Sequence, residues 1–200
     1  MANSPTNQQT NKLTPPPPTR YNSLMNNSTL EICPGCLAQL PASDGPTHRY
    51  IGASGACWDL FAALSNGGEP PLAPGPLNGL LVDAYAAQHP GVPSDQSIQS
   101  VAVHLLALYG VLDKGLSPDL ALTIRLKAVN ERKQAKHGRY QWLTPPDFNG
   151  SLSIADIVAQ PTPPARTDRL AHYIEEVWAR WAALHRETIV GWFAEYVGVC

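Results

Sequence analysis

Two hundred residues with 14 Lys and Arg against 16 Asp and Glu, a net charge of -2, suit one domain with a sizeable core plus a tail. That near balance argues against an electrostatic nucleic-acid binder, and no run reaches the roughly 18 apolar residues of a spanning helix, so neither nucleic acid nor membrane is an expected partner. The opening MANSPTNQQTNKL lacks the apolar centre of an export signal, and four cysteines with two in a CxxC suggest metal or thiol chemistry in a reducing cytoplasm rather than a disulfide framework.

Residues 1–28 are rich in Asn, Gln, Ser, Thr and Pro, with Pro15 to Pro18 consecutive. So little apolar surface does not offset the entropy of ordering, and a disordered tail with a short polyproline II segment is expected there. Residues 29–200 are then expected to form a single helical domain.

The stretch 33–58, CPGCLAQLPASDGPTHRYIGASGACW, gathers three of the four cysteines and one histidine ahead of the first helical pattern. In Cys33-Pro34-Gly35-Cys36, Pro34 fixes one φ angle and Gly35 permits a tight or left-handed one, so the two sulfurs can curl round one ion. Zinc prefers such soft ligands in tetrahedral sets of four. His48 follows 12 residues after Cys36 and Cys57 nine after that, which completes a local Cys-Cys-His-Cys set. Blander readings stand beside it. A CxxC can be a redox dithiol, although such a motif usually opens a helix beside a βαβ pattern, which is missing here. Cys57 can be a small buried residue at a helix start, and His48 can bond the Asp44-Gly45-Pro46 turn.

Residues 58–64 have helical spacing and stop at Asn66-Gly67-Gly68; residues 69–79, with four prolines and two glycines, read as a loop. A short helix follows at 80–89, ended by Pro90-Gly91. The strongest helix covers about 94–114, with Ser94 as N-cap and apolar residues on nearly every side, which marks a central buried element. Ser117 caps another helix to about residue 132, with Pro118 in its first position. Residues 133–140 are basic and polar, 142–146 form an extended corner, 153–158 a short helical turn, and 161–164 a proline-rich linker. A final helix at 167–197 carries the stripe Leu170, Ile174, Trp178, Trp181, Thr188, Trp192 and Tyr196. No set of strands is legible. The fold class is mainly α: a small bundle around the buried helix at about 94–114, with a Cys/His loop-rich cap at its N-terminal end.

Two histidines fall where apolar residues are expected: His104 inside the most apolar helix, and His89 at the end of the preceding one. If those helices are neighbours, Asp83, Gln88, His89, Gln99, Ser100 and His104 can converge on one polar pocket. Left unpaired, such groups cost about 1–3 kcal/mol each, so they must bond each other, water or a metal. His89 and His104 can also join Cys33 and Cys36 in a Cys₂His₂ zinc site, with His48 and Cys57 behind it. The metal candidates are therefore Cys33, Cys36, His48, Cys57, His89 and His104. His185 reads as a boundary core residue, His137 and His172 as solvent-facing, and Cys200 as an incidental exposed thiol.

CPGC at 33–36, DGPTHRYIGAS at 44–54, CW at 57–58, VDAYAAQHPG at 82–91, SIQSVAVHLLAL at 97–108, WLTPP at 142–146 and the final helix with WAALH stand in one order. In these phrases the chain, over about residues 31–195, resembles a family of bacterial proteins that carries no assigned activity. The resemblance implies that the phrases holding His48, His89 and His104 belong to one functional or metal-organising core.

Three functions are open at this stage. The first is a zinc protein whose metal is mainly structural. The second is a hydrolase-like zinc enzyme with an open metal position and Asp83 or another nearby carboxylate as base. The third is a thiol redox or non-metal interaction module. Two or more thiolates on one zinc make its bound water a poorer acid, which ranks the enzyme lower.

Overall fold

The computed structural model describes residues 29–132 and 140–197. The tail expected at 1–28, most of the basic stretch, His137 and Cys200 lie outside the described residues. Two three-residue strands open the fold, β1 (Leu30–Ile32) and β2 (Gln39–Pro41). They pair antiparallel with Glu31 opposite Leu40, and the CPGC turn lies between them. This hairpin was not legible in the sequence because a strand of three residues is too short to display alternation.

Among the described residues six α-helices follow: α1 (Gly55–Ser65), α2 (Leu81–Gln88), α3 (Asp95–Leu112), α4 (Pro118–Arg132), α5 (Ile154–Val158) and α6 (Pro163–Val197). A 3-10 turn, Pro76–Leu80, leads into α2. The mainly α fold read from the sequence is the observed one. The central helix is α3, which packs against α2, α4 and α6. Its residues from Val101 to Gly110 are buried on nearly every side except at His104. Ser94 caps it by accepting from the Ser97 N–H at 3.1 Å.

Two helices begin earlier than the spacing predicts, and both differences have local causes. Ser54 caps α1 by accepting from the Cys57 N–H at 3.3 Å, so Cys57 sits in the first turn rather than before the helix. Pro163 and Pro164, expected as linker, form the first turn of α6, where a missing N–H loses no helical bond. Thr162 receives the Ala165 N–H just ahead of them. The α6 stripe is buried at Leu170, Ile174, Trp178, Trp181 and Trp192, with Thr188 half-buried. The side chain of Tyr196 lies outside the described residues. No helix among the described residues is long and apolar enough to cross a membrane.

Candidate metal centre

Four side chains from three parts of the fold meet under the hairpin. Cys33 and Cys36 come from the turn after β1, Cys57 from the first turn of α1, and His89 from the C-cap of α2. All four are buried, three of them at 0% exposure and Cys36 at 3%. One potential ligand atom from each lies within 4.8 Å of every other. Cys36 Sγ is 3.9 Å from Cys57 Sγ, and Cys57 Sγ is 3.4 Å from His89 Nε2. On a tetrahedron with metal–sulfur bonds of about 2.3 Å and a metal–nitrogen bond of about 2.05 Å, such edges are about 3.8 and 3.6 Å. The thiols are free, and a sulfur separation of 3.9 Å is far beyond the roughly 2.05 Å of a disulfide.

The turn that carries the first two cysteines is closed by its own backbone. The Cys33 N–H donates to Ala38 O at 2.9 Å, and the Leu37 N–H donates to Cys33 O at 3.0 Å. The left-handed residue is Leu37, with φ of 61°, rather than Gly35. Leucine in that region costs on the order of 1 kcal/mol, so the surrounding contacts must hold it there. Gly35 is required for a different reason: a Cβ on it would stand 2.3 Å from Cδ2 of His89 and 2.8 Å from the Gly52 carbonyl. The knuckle backbone therefore lies directly on the histidine ring.

His89 is fixed from several sides. Its N–H donates to Tyr85 O at 3.1 Å, and its carbonyl accepts from the Gly52 N–H at 3.0 Å. Its Nδ1 lies 2.8 Å from the same Tyr85 carbonyl, and a carbonyl only accepts, so Nδ1 carries the proton. The Nε2 lone pair is thereby left facing the sulfurs, the tautomer that metal-bound histidines usually adopt. The C-terminal turn of α2 is gripped from α6, where Trp181 Nε1 donates to Ala87 O at 3.0 Å and Tyr173 Oη to Gln88 Oε1 at 2.9 Å. Gln88 also donates to Leu152 O at 2.8 Å, so both ends of its buried amide join elements.

Tyr85 reaches two of the four clustered residues. Besides accepting from His89, it donates its hydroxyl to Cys57 Sγ at 3.5 Å, and its ring stacks on Phe61 at 3.9 Å. Burial first, and then the neighbouring Cys57 sulfur, pushes the Tyr85 phenol far above its usual range, so it remains a donor. Sequence reasoning missed this residue. The available signal was its position four before His89, which places both on one helical face.

The three sulfurs, all within 4.8 Å of one another, shift each other's proton affinities in opposite directions. Hydrogen bonds from Cys36 and then Cys57 hold the Cys33 thiol far below its ordinary range. As the donor to Cys33, Cys36 is pushed up to about 12. Cys57, which bonds Cys33 and then Cys36, is pushed well above the usual thiol range. Metal ligands bind as thiolates, so a cation entering here displaces the protons that Cys36 and Cys57 are pushed to keep.

Neither ligand set drawn from the sequence is assembled as a whole. The four clustered residues take three cysteines from the local set and one histidine from the alternative. His48 lies outside them, with its ring packed edge-on to Tyr50 at 4.4 Å and tilted against Trp58 at 4.9 Å. Burial lowers its pKa, which favours the neutral ring. His104 is also outside, because its Nδ1 is bonded to Asp83 Oδ1 at 2.7 Å. Nor does the single polar pocket form: Asp83 and His104 pair, Gln99 lines a cleft beside His104, and Gln88 and His89 serve other partners. Arg125 on α4 completes the Asp83 pair at 2.5 Å, a residue that nothing in its helical pattern distinguished. His185 is half-buried with Nε2 2.8 Å from Thr144 O, and His172 is exposed.

No curated protein and no solved structure matches this chain. A family model does match residues 31–182, which takes in all four clustered residues and more than half of α6, and the chain belongs to that family, a family of unknown function (DUF5946).

Proposed function

We propose that Cys33, Cys36, Cys57 and His89 bind one zinc ion whose role is mainly structural. The observation that carries this reading is the convergence of four buried ligand atoms within 4.8 Å. Cys₃His is among the sets that close a tetrahedral zinc with protein ligands alone, leaving no position for water. Three thiolates on the ion would also make any bound water a weak acid, which disfavours the hydrolase-like alternative. Asp83, the base considered for that alternative, is committed to His104 and Arg125.

A closed ion here would tie the hairpin turn, the start of α1 and the end of α2 into one corner. Structural zinc contributes folding free energy directly, on the order of 10 kcal/mol in small zinc-binding peptides. The reading also requires reduced thiols, which suits a reducing compartment such as the cytoplasm. The test is metal analysis of protein purified under reducing conditions, followed by chelation. One zinc per chain and a melting temperature that falls on chelation are expected. A protein that carries no stoichiometric metal, and melts unchanged after chelator treatment, would defeat the reading.

A further inference from the structure

A second polar assembly lies away from the cysteine cluster. Asp83 on α2 is 2% exposed, and one of its oxygens, Oδ1, accepts from two helices at once. His104 Nδ1 on α3 approaches it at 2.7 Å and Arg125 Nη1 on α4 at 2.5 Å. An oxygen already receiving a guanidinium N–H accepts the imidazole proton as well, so Nδ1 is the protonated nitrogen and Nε2 stands free of that bond on the far edge of the ring. The three-way contact fixes the ring plane of His104 and the fork of Arg125.

Both fixed groups line a cleft of about 300 Å³ between α3 and α4. Val103 and Val129 give it apolar wall, while Gln99 and Ser100 add polar groups. Among the described residues none that lines it is acidic, and His104 and Arg125 are the two basic ones. A mostly apolar cleft with a few convergent polar groups held by a buried partner is the usual form of a small-molecule site. Arginine presents its donors as a planar fork that matches carboxylate and phosphate oxygens.

We propose that this cleft binds a small organic anion, a carboxylate or a phosphate monoester, with its charged end at the Arg125 guanidinium beside the His104 ring and its apolar part against Val103 and Val129. Asp83 is a positioning residue, because it acts on the ligand only through the two side chains it holds. This site is independent of the metal reading, since none of its members belongs to the cysteine cluster.

The test titrates the full-length, metal-replete chain with benzoate, phenyl phosphate and the uncharged benzyl alcohol, following the His104 ring resonances by NMR. Saturable shifts with either anion and none with the alcohol are expected, and the anion that binds tighter identifies the head group. Arg125→Gln should weaken binding by about tenfold, as loss of one charge-assisted hydrogen bond does. Since that variant also disturbs Asp83, Leu126→Glu serves as a second probe. Leu126 lines the same cleft but is 54% exposed, so a carboxylate there repels the anion without opening the core. Overturning results are no saturable shift with either anion, equal binding of benzyl alcohol, or Leu126→Glu binding as tightly as the parent.

Discussion

The main-chain carbonyl of Tyr85 accepts the Nδ1–H of His89 at 2.8 Å, and this bond decides which ring nitrogen faces the three sulfurs. Because the acceptor is backbone, side-chain replacement at position 85 leaves it in place. The tyrosine hydroxyl, in contrast, contacts Cys57 alone among the four clustered residues. Tyr85→Phe therefore separates the two supports. It should keep the metal but weaken its retention by about 1 kcal/mol, the net worth of one hydrogen bond. Competition against a chromophoric chelator measures this, and full loss of metal would show the hydroxyl to be more than a supporting donor.

The candidate histidines divide sharply. His89→Ala should lose the metal and lower the melting temperature, whereas His48→Ala and His104→Ala should retain one ion per chain. Cys36→Ser and Cys57→Ser should behave as His89→Ala does. Metal content by mass spectrometry under native conditions checks all five variants, and an ion lost from His48→Ala would move the site to the sequence-local set.

Gly35→Ala tests the packing of the knuckle on the histidine ring. With 2.3 Å between the new Cβ and His89 Cδ2, either the turn or the ring must shift. Overpacking of this kind costs about 1–3 kcal/mol, and here it should also reduce metal affinity. Thermal melts with and without chelator separate the two effects. A variant indistinguishable from the parent in both would show that the contact relaxes freely.

Acidification should release the metal. Cys36 and Cys57 are both pushed upward by their bonds to Cys33, so the metal-free cluster binds two protons that the ion must displace. Protons displaced on binding make affinity rise with pH and fall as pH drops. The sign is set by the raised thiols of Cys36 and Cys57: each proton that the ion displaces steepens the fall of affinity toward low pH. Calorimetry in buffers of different ionisation enthalpy counts the released protons, and a count of zero would contradict thiol ligation.

Asp83→Asn removes the shared charge between α2, α3 and α4. Arg125 then stands partly buried beside a neutral amide, and a loss of about 2–4 kcal/mol of stability is expected. Denaturant unfolding measures it. A loss within about 0.5 kcal/mol, the range of an ordinary surface substitution, would show the three-way contact to be energetically idle.

What the sequence revealed follows from the range of the signals it carries. The buried α3 was legible because a run from Val101 to Val111 that is apolar on nearly all sides needs no partner to be recognised. Cys33, Cys36 and Cys57 stood out because thiol ligands recur at short spacing near turns. His89 was visible only as an odd residue at a helix end, and its union with Cys57 depends on how the loop around Gly52 crosses it. That crossing is a tertiary fact, set by the Gly52 N–H bond to His89 O at 3.0 Å. His48 misled because proximity along the chain outranked the aromatic packing that diverts it onto Tyr50 and Trp58. The earlier start of α6 was hidden by Pro163 and Pro164, which read as linker unless a cap such as Thr162 is recognised before them.

The most direct measurement of the central claim is X-ray absorption at the zinc edge on protein purified under reducing conditions. Three sulfurs at about 2.3 Å and one nitrogen at about 2.0 Å are predicted, with no water oxygen. A shell of two sulfurs and two nitrogens, a coordinated water, or the absence of zinc from the reduced protein would contradict it.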